Sequence, residues 1–245
     1  MPSLFNLRAT AEARIADCVH YCAFRYGHQE PNPYESYLID LARGISVRTA
    51  RARFIEFLRY YRPRHFGEAL GCDLSKEYPL WSHPWRSRLP APAWRARPED
   101  CPDILTHFST QGILSYRIDE EFVWLERAYS RIEQEGYRPE ACGFVLGIEL
   151  RPLEGPSSFI LSDGNHRVAA LSALGANNLR LRRSFPTSIV QERNIDRWPQ
   201  VRSGLYTRDD ARRVFNAYRQ GNAQPRTDRS GAKVLAPAGW EATYE

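Results

Sequence analysis

The chain has 245 residues, and its 34 Lys and Arg against 29 Asp and Glu give a formal net charge of +5 at pH 7. This length is enough for one large domain or two small ones. No apolar run approaches the ~20 residues that a membrane-spanning helix needs, so the sequence excludes that class of protein and predicts no membrane partner. The first residues show no secretion-signal pattern and only five Cys are present, so we expect a cytoplasmic protein with reduced thiols.

The positive charge is almost entirely Arg, because Lys occurs only at 76 and 233. The Arg side chain suits phosphate and carboxylate, but a preference for Arg over Lys also follows from the base composition of some genomes. The Arg residues are spread along the chain rather than collected in one tail, which argues against a polybasic arm. We therefore expect no specific nucleic-acid partner.

Residues 1–77 are predicted to form a helical N-terminal region. An Ala-rich stretch without turn residues predicts a first helix over 8–25. A second helix is predicted over 34–43, and a third begins after the capping residue Ser46 and ends before Pro63. Apolar residues recur at helical spacing in the third helix, so we expect it to pack against the rest of the chain.

Residues 78–104 form a segment rich in Pro and Trp. It has too many prolines for a strand or a helix and too many aromatic residues for a disordered linker, so it is predicted to be an ordered loop. Trp81, Trp85 and Trp94 either anchor this loop to a core or present flat apolar faces to a ligand such as a sugar.

The periodicity changes in the next segment and predicts a β-α-β-β-α-β unit within residues 105–205. The predicted elements are a strand at 113–117, a helix capped by Asp119 and ended by Gly136, strands at 143–150 and 158–161, a helix at 166–174 and a strand at 179–183. This order predicts an α+β fold class in which a mixed sheet packs with helices. A last helix is predicted over 206–221, and a flexible tail over 222–245.

The segment Asp163-Gly164-Asn165-His166-Arg167 lies between a predicted strand and a predicted helix. Gly164 allows a ligand to approach the backbone, and the amides of the first helical turn, with the helix dipole, favour an anion. His166 and Arg167 add side-chain donors at the same end, so a phosphate is the expected guest. The alternative is structural: Asp163 caps the helix, and the two basic residues pair with surface carboxylates.

The strand, the five-residue loop, the small-residue helix and the strand that follows resemble the signature of the ParB/sulfiredoxin-like superfamily. The resemblance covers about residues 112–184, and its most specific part is the loop itself. It implies a small α/β nucleotide-binding domain that holds nucleotide phosphates at Gly164, Asn165, His166 and Arg167. The superfamily includes sulfiredoxins, chromosome-partition proteins that use CTP, and small-molecule kinases that use ADP or ATP.

Departures from the pattern favour the kinase branch. Sulfiredoxins have a catalytic Cys in this loop, whereas this chain has Asn165, and the helix-turn-helix reader of the partition proteins has no counterpart downstream. The resemblance to the kinases implies that Glu121, or else Glu120, acts as general base, and that Asp163 orients the acceptor hydroxyl or holds Mg²⁺. The alternative for the two glutamates is a favourable charge in the first turn of a helix.

Together these features predict a kinase that transfers phosphate from ATP or ADP, with Mg²⁺, to a hydroxyl of a small molecule or a sugar. Phosphoryl transfer requires phosphate donors, a metal held by carboxylate and a base near the attacking oxygen, and the resemblance implies each of these. The Trp-rich loop favours a sugar as the acceptor. The alternative is a non-catalytic nucleotide-binding switch or a ParB-like protein associated with nucleic acid.

Overall fold

A six-stranded mixed sheet lies at the centre of the fold, which is mixed α/β. The computed structural model describes residues 10–27, 32–61, 63–87, 115–184 and 187–221, and the backbone of 226–227 and 233–234. The six strands of the sheet are β1 (Thr10–Arg14), β2 (Cys18–Val19), β3 (Val145–Arg151), β4 (Ser158–Asp163), β5 (Asn178–Arg183) and β6 (Ile189–Gln191). A separate antiparallel pair, β7 (Arg226–Thr227) and β8 (Lys233–Val234), lies where the sequence predicts a flexible tail.

Strand β3 is central to the sheet, whose order is β1-β5-β3-β4-β2. It pairs antiparallel with β4, with Ile148 opposite Ile160, and parallel with β5 through its first residues. The last residues of β3 pair parallel with β6. The amino-terminal strands close the two sides, β1 antiparallel to β5 and β2 parallel to β4.

Helices cover the sheet. They are α1 (Pro33–Ala42), α2 (Val47–Tyr60), α3 (Phe66–Leu70), α4 (Ser115–Glu135), α5 (Pro139–Cys142), α6 (Asn165–Ala173), α7 (Pro199–Arg202) and α8 (Arg208–Gln220). Side-chain oxygens of Asn32, Ser46 and Thr207 accept backbone N–H bonds at the starts of α1, α2 and α8, as expected of capping residues. None of the described helices is long and apolar enough to cross a membrane.

The predicted helix over 8–25 is wrong, because residues 10–14 and 18–19 are strands of the sheet. Ala13 and Ile15 are buried, and β1 bonds to β5 along five residue pairs. Ala-rich sequence favours helix only weakly, and pairing with a distant strand overrides that preference.

The predicted strand at 113–117 is wrong for residues 115–117, and the helix that follows begins earlier than predicted. Helix α4 starts at Ser115, while 113 and 114 lie outside the described residues. Ile118, Phe122 and Leu125 recur at helical spacing and are all buried, so the apolar stripe begins before Asp119. Asp119 is therefore not the capping residue, and Glu120 and Glu121 lie in the second turn, beyond the end that favours negative charge.

The other predictions agree more closely with the structure. Helices form at 33–42, 47–60, 165–173 and 208–220, and strands at 145–151, 158–163 and 178–183, while β6 was not predicted. In the Pro- and Trp-rich segment, Trp81 and Trp85 are buried, so they anchor the loop and do not offer a face to a sugar. Trp94 lies outside the described residues.

The buried imidazole of His83 joins that loop to the last helix. Its Nδ1 is 2.9 Å from the carbonyl oxygen of Trp81, and its Nε2 is 2.9 Å from the hydroxyl of Tyr218 on α8. Burial disfavours the charged form and lowers the pKa of His83 to about 4. This imidazole is therefore neutral in the folded protein at neutral pH.

We expect acid to destabilise the protein through His83. The unfolded chain binds the proton near the ordinary His pKa of ~6.5, so the stability that His83 contributes is complete above that pH and is lost as the pH falls towards 4. Between pH 7 and pH 5 the loss is roughly 2 kcal/mol. Urea unfolding of the wild type and of His83→Gln at both pH values measures it, and equal losses in the two proteins would contradict the assignment.

Candidate functional site

The junction between β4 and α6 has a backbone conformation that requires glycine. Gly164 lies there with φ of 87°, in the left-handed region. A Cβ at this position would lie 2.9 Å from Nη2 of Arg167 and 3.0 Å from Cγ2 of Val145. The loop is therefore packed tightly against β3 and against its own arginine.

Helix α6 starts directly after this glycine and directs its first amides out of the helix end. The first bond of the helix runs from the amide of Val168 to the carbonyl of Gly164, at 3.1 Å. The amides of Asn165, His166 and Arg167 precede that bond, and no side chain caps this helix end. Their N–H groups and the helix dipole favour an anion.

His166 is held by a carboxylate from a different helix. Its Nε2 is 2.5 Å from Oε1 of Glu121, although the two residues are 45 positions apart in the chain. The Glu121 side chain is only 1% exposed, while that of His166 is 23% exposed. The ring of Tyr34 also packs edge-on against the imidazole, at 5.3 Å between centroids. The fold thus joins a buried carboxylate to an imidazole that reaches solvent.

Arg167 connects the loop to the segment before β3. Its guanidinium donates to the carbonyl oxygens of Cys142, at 3.4 Å, and Gly143. Nη2 also lies 3.3 Å from Oδ2 of Asp163. Asp163 itself remains 62% exposed, so most of its carboxylate is open to solvent. Arg167 therefore stabilises the loop in addition to placing a positive charge at the helix end.

Two contacts attach this loop and helix to the N-terminal part of the chain. The hydroxyl of Tyr26 donates to Oδ1 of the buried Asn165, at 3.0 Å. On α1, the buried carboxylate of Glu35 accepts from the hydroxyl of Ser172, at 2.6 Å, and from the amide of Gly27. The side chain of Asn165 therefore supports the structure through its Oδ1, and its backbone amide lies at the open end of α6.

A cavity of about 230 Å³ opens beside the loop. Helix α4 forms one side and the loop forms the other, and the lining residues are Trp124, Ala128, Asp163, Gly164, Asn165, His166 and Arg167. Trp124 is 40% exposed, and the centroid of its ring is 6.0 Å from that of His166. The sequence analysis missed Trp124, although a Trp three residues after Glu121 on an amphipathic helix could have drawn attention to it.

The structure brings all of the residues predicted in the loop together with Glu121, but not with Glu120. Glu121 reaches the site through His166 and is not itself a lining residue, whereas Glu120 is exposed and does not line the cavity either. Among the described residues, no group of three or more His, Cys, Asp or Glu is arranged to hold a metal ion. Asp163 offers a single exposed carboxylate, which fits Mg²⁺ because this ion usually takes its other ligands from substrate phosphates and water.

Comparison with known proteins adds no family assignment. No protein-family model, curated protein or solved structure matches this chain.

Proposed function

We propose that this protein is a kinase with a ParB/sulfiredoxin-like domain, and that it transfers a phosphate from ATP or ADP to a hydroxyl of a small molecule or a sugar. One observation carries the proposal: the helix end suited to phosphate and the His166–Glu121 pair are joined at one cavity. Phosphoryl transfer requires both phosphate positioning and a group that accepts the hydroxyl proton.

The loop supplies the phosphate contacts in this proposal. The amides at the start of α6 donate to phosphate oxygens, and Gly164 lets those oxygens approach the backbone. The guanidinium of Arg167 adds positive charge while its bonds to the Cys142 and Gly143 carbonyls hold it in place. A group fixed in this way loses little conformational entropy when the nucleotide binds.

His166 accepts the proton and Glu121 positions it. With Nε2–H donating to the Glu121 carboxylate, Nδ1 of the neutral imidazole carries the available lone pair. The acceptor oxygen forms a bond to the terminal phosphorus as the bond from that phosphorus to the leaving nucleotide breaks, and the hydroxyl proton moves to Nδ1. The leaving nucleotide is ADP when the donor is ATP, and AMP when the donor is ADP. The buried carboxylate stabilises the imidazolium that forms.

Asp163 is the residue that would hold Mg²⁺ beside the phosphates. When bound there, the ion supplies neutralisation of the charge on the transferred phosphate. The contact between Asp163 and Arg167, at 3.3 Å, keeps the carboxylate at the mouth of the cavity.

A second candidate is a nucleotide-binding module without turnover. The contact between Asp163 and Arg167 favours it, because Asp163 is the carboxylate that lines the cavity, and a carboxylate already paired with an arginine is less available to hold Mg²⁺ for phosphate transfer. A ParB-like association with nucleic acid has weaker support, since described Arg residues such as Arg53 and Arg183 pair with Asp40 and Glu149 at 2.9 and 2.7 Å. The free thiols of Cys18, Cys22, Cys72 and Cys142 suit the cytoplasm, which is the compartment we propose.

Nucleotide binding to the full chain tests the shared part of both candidates. We expect ATP or ADP with Mg²⁺ to raise the thermal unfolding midpoint, because a ligand at 100 times its Kd adds about 2.7 kcal/mol to the stability of the folded state. Arg167→Ala should weaken that binding by about 10- to 150-fold, the value of one charge-assisted hydrogen bond. Arg193→Ala, an exposed arginine that does not line the cavity, is the control and should bind normally.

Four outcomes decide among the candidates. Release of ADP or AMP that depends on an added acceptor supports the kinase, while binding without consumption in any acceptor mixture supports the switch. Equal nucleotide affinity in the wild type and Arg167→Ala would remove the loop from nucleotide binding. Tight, sequence-dependent binding of duplex DNA at about 0.15 M salt would favour the ParB-like alternative.

A further inference from the structure

We propose that the acceptor is a sugar, whose ring packs against Trp124 with a hydroxyl directed to His166. This inference rests on the proposed kinase function and names the substrate class for the same cavity. The aromatic residue proposed to contact the sugar is thus Trp124 and not a residue of the Pro- and Trp-rich loop, because Trp81 and Trp85 are buried.

Trp124 lies on α4 beside the residue that positions His166. It follows Glu121 by three residues, so the two side chains project from neighbouring positions on the same side of the helix. Large apolar side chains that are clearly exposed in the described part of the chain are Val47, Val123, Trp124 and Leu153, and of these Trp124 is the one that lines the cavity. Ligand cavities combine aromatic walls with a few polar groups, and an exposed Trp at the wall of this cavity offers a flat apolar surface on which a ligand ring can pack.

The distance between Trp124 and His166 assigns the bound ring to the acceptor. The two ring centroids are 6.0 Å apart. A group that removes a proton must lie within about 3 Å of the hydroxyl, so whatever rests on Trp124 adjoins the reacting oxygen. The base of a nucleotide whose terminal phosphate occupies the loop lies farther from that oxygen, at the other end of the phosphate chain.

The size of the cavity agrees with one ring. Its volume of about 230 Å³ is below the ~300–1,000 Å³ of pockets that enclose a whole small-molecule ligand. It therefore suits a single acceptor ring beside phosphates that lie at the helix end, and does not enclose a complete nucleotide.

The walls of the cavity are complementary to an amphipathic ring. Trp124 and Ala128 form an apolar wall, while Asp163 and His166 offer hydrogen-bonding groups opposite it. A sugar matches both, because its ring has a face of C–H groups and a rim of hydroxyls. A linear acceptor such as glycerol or serine would leave most of the Trp124 ring uncovered.

A comparison of cyclic and linear acceptors tests the substrate class. The full chain with ATP or ADP and Mg²⁺ is given D-ribose, D-glucose, D-galactose or N-acetyl-D-glucosamine, and in parallel glycerol, L-serine or D-sorbitol. We expect nucleotide consumption with at least one sugar and none, or far less, with the linear compounds. Consumption that is greatest with a linear compound would overturn the sugar assignment and leave the kinase proposal standing.

Variants at Trp124 test the contact. Trp124→Ala should raise the KM for the sugar by about tenfold, as expected for a lost aromatic contact, with nucleotide Kd unchanged within about twofold. Trp124→Phe should recover most of the loss, and Val123→Ala, its exposed neighbour outside the cavity, should behave as the wild type. If Trp124→Ala instead weakens nucleotide binding, the ring packs against the nucleotide and the inference is wrong.

A measurement without nucleotide separates failure of the inference from failure of the proposed function. Saturation-transfer NMR of the same sugars with the full chain should show binding that Trp124→Ala removes. Sugar binding that depends on Trp124, in a protein that binds no nucleotide, would keep the sugar site and refute the kinase. Nucleotide binding without any Trp124-dependent sugar signal would overturn the inference alone.

Discussion

Glu121→Gln is expected to lower kcat by a factor of about 10² to 10⁴ while leaving nucleotide affinity almost unchanged. The glutamine oxygen can still accept from Nε2 of His166, so the orientation of the ring is kept, but the negative charge that stabilises the imidazolium is lost. Because the side chain at this position is buried, water cannot stabilise the imidazolium in place of the lost carboxylate. The large effect is thus expected on the chemical step and not on binding.

Kinetics with a pH profile distinguish this role from a structural one. A carboxylate that supports proton transfer changes both kcat and the pH dependence of kcat, whereas a purely structural residue changes stability and KM. Glu133→Gln, an exposed glutamate on the same helix, is the matched control. If Glu120→Gln is the damaging variant instead, the carboxylate that supports proton transfer has been assigned to the wrong glutamate, and full activity in both variants would remove both glutamates from the mechanism.

The part of the fold that depends on local sequence could be predicted. Residues 158–173 contain a strand, a glycine and a helix in succession, and neighbouring residues determine the structure of each. Both the elements and the exposed amides could therefore be predicted from this segment alone. The capping residue Ser46 placed a further helix start correctly for the same reason.

The parts that depend on distant partners could not be predicted. Residues 10–14 form a strand because Ala13 pairs with Leu179, and two residues are enough for β2 because Cys18 pairs with Phe159. Nothing in the local Ala-rich sequence reports those partners, and helix propensity alone favours the wrong structure. The edge strands can therefore be recognised only when their partners in the sheet are known.

The same distinction applies within the site. The sequence indicated Glu121 and His166 separately, but their 2.5 Å contact depends on how α4 packs against α6. It also placed Glu121 in the first turn of a helix that in fact begins at Ser115. For Trp81 and Trp85 it left two alternatives open, and their burial decides for anchoring of the loop. The exposed aromatic ring at the cavity belongs to Trp124, whose position only the packed helices reveal.

Gly164→Ala is expected to destabilise the protein by roughly 2–4 kcal/mol and to weaken nucleotide binding together with it. The positive φ strains any residue with a Cβ, and the added carbon would lie 3.0 Å from Cγ2 of Val145, whose strand cannot easily move. It would also displace the Arg167 guanidinium, which would then lose its bonds to the carbonyls that hold the loop.

Gly175→Ala, just beyond the other end of α6, is the matched control. Its φ of 77° is strained in the same way, but a Cβ there would meet no atom within 4 Å. We expect this variant to lose only about 1–2 kcal/mol, the cost of the backbone conformation alone, and to bind nucleotide normally. Urea unfolding and nucleotide titration of both variants measure the difference. Equal losses of stability would mean that Gly164 is required for its backbone angle alone, and that close packing of Arg167 beneath the loop does not stabilise the site.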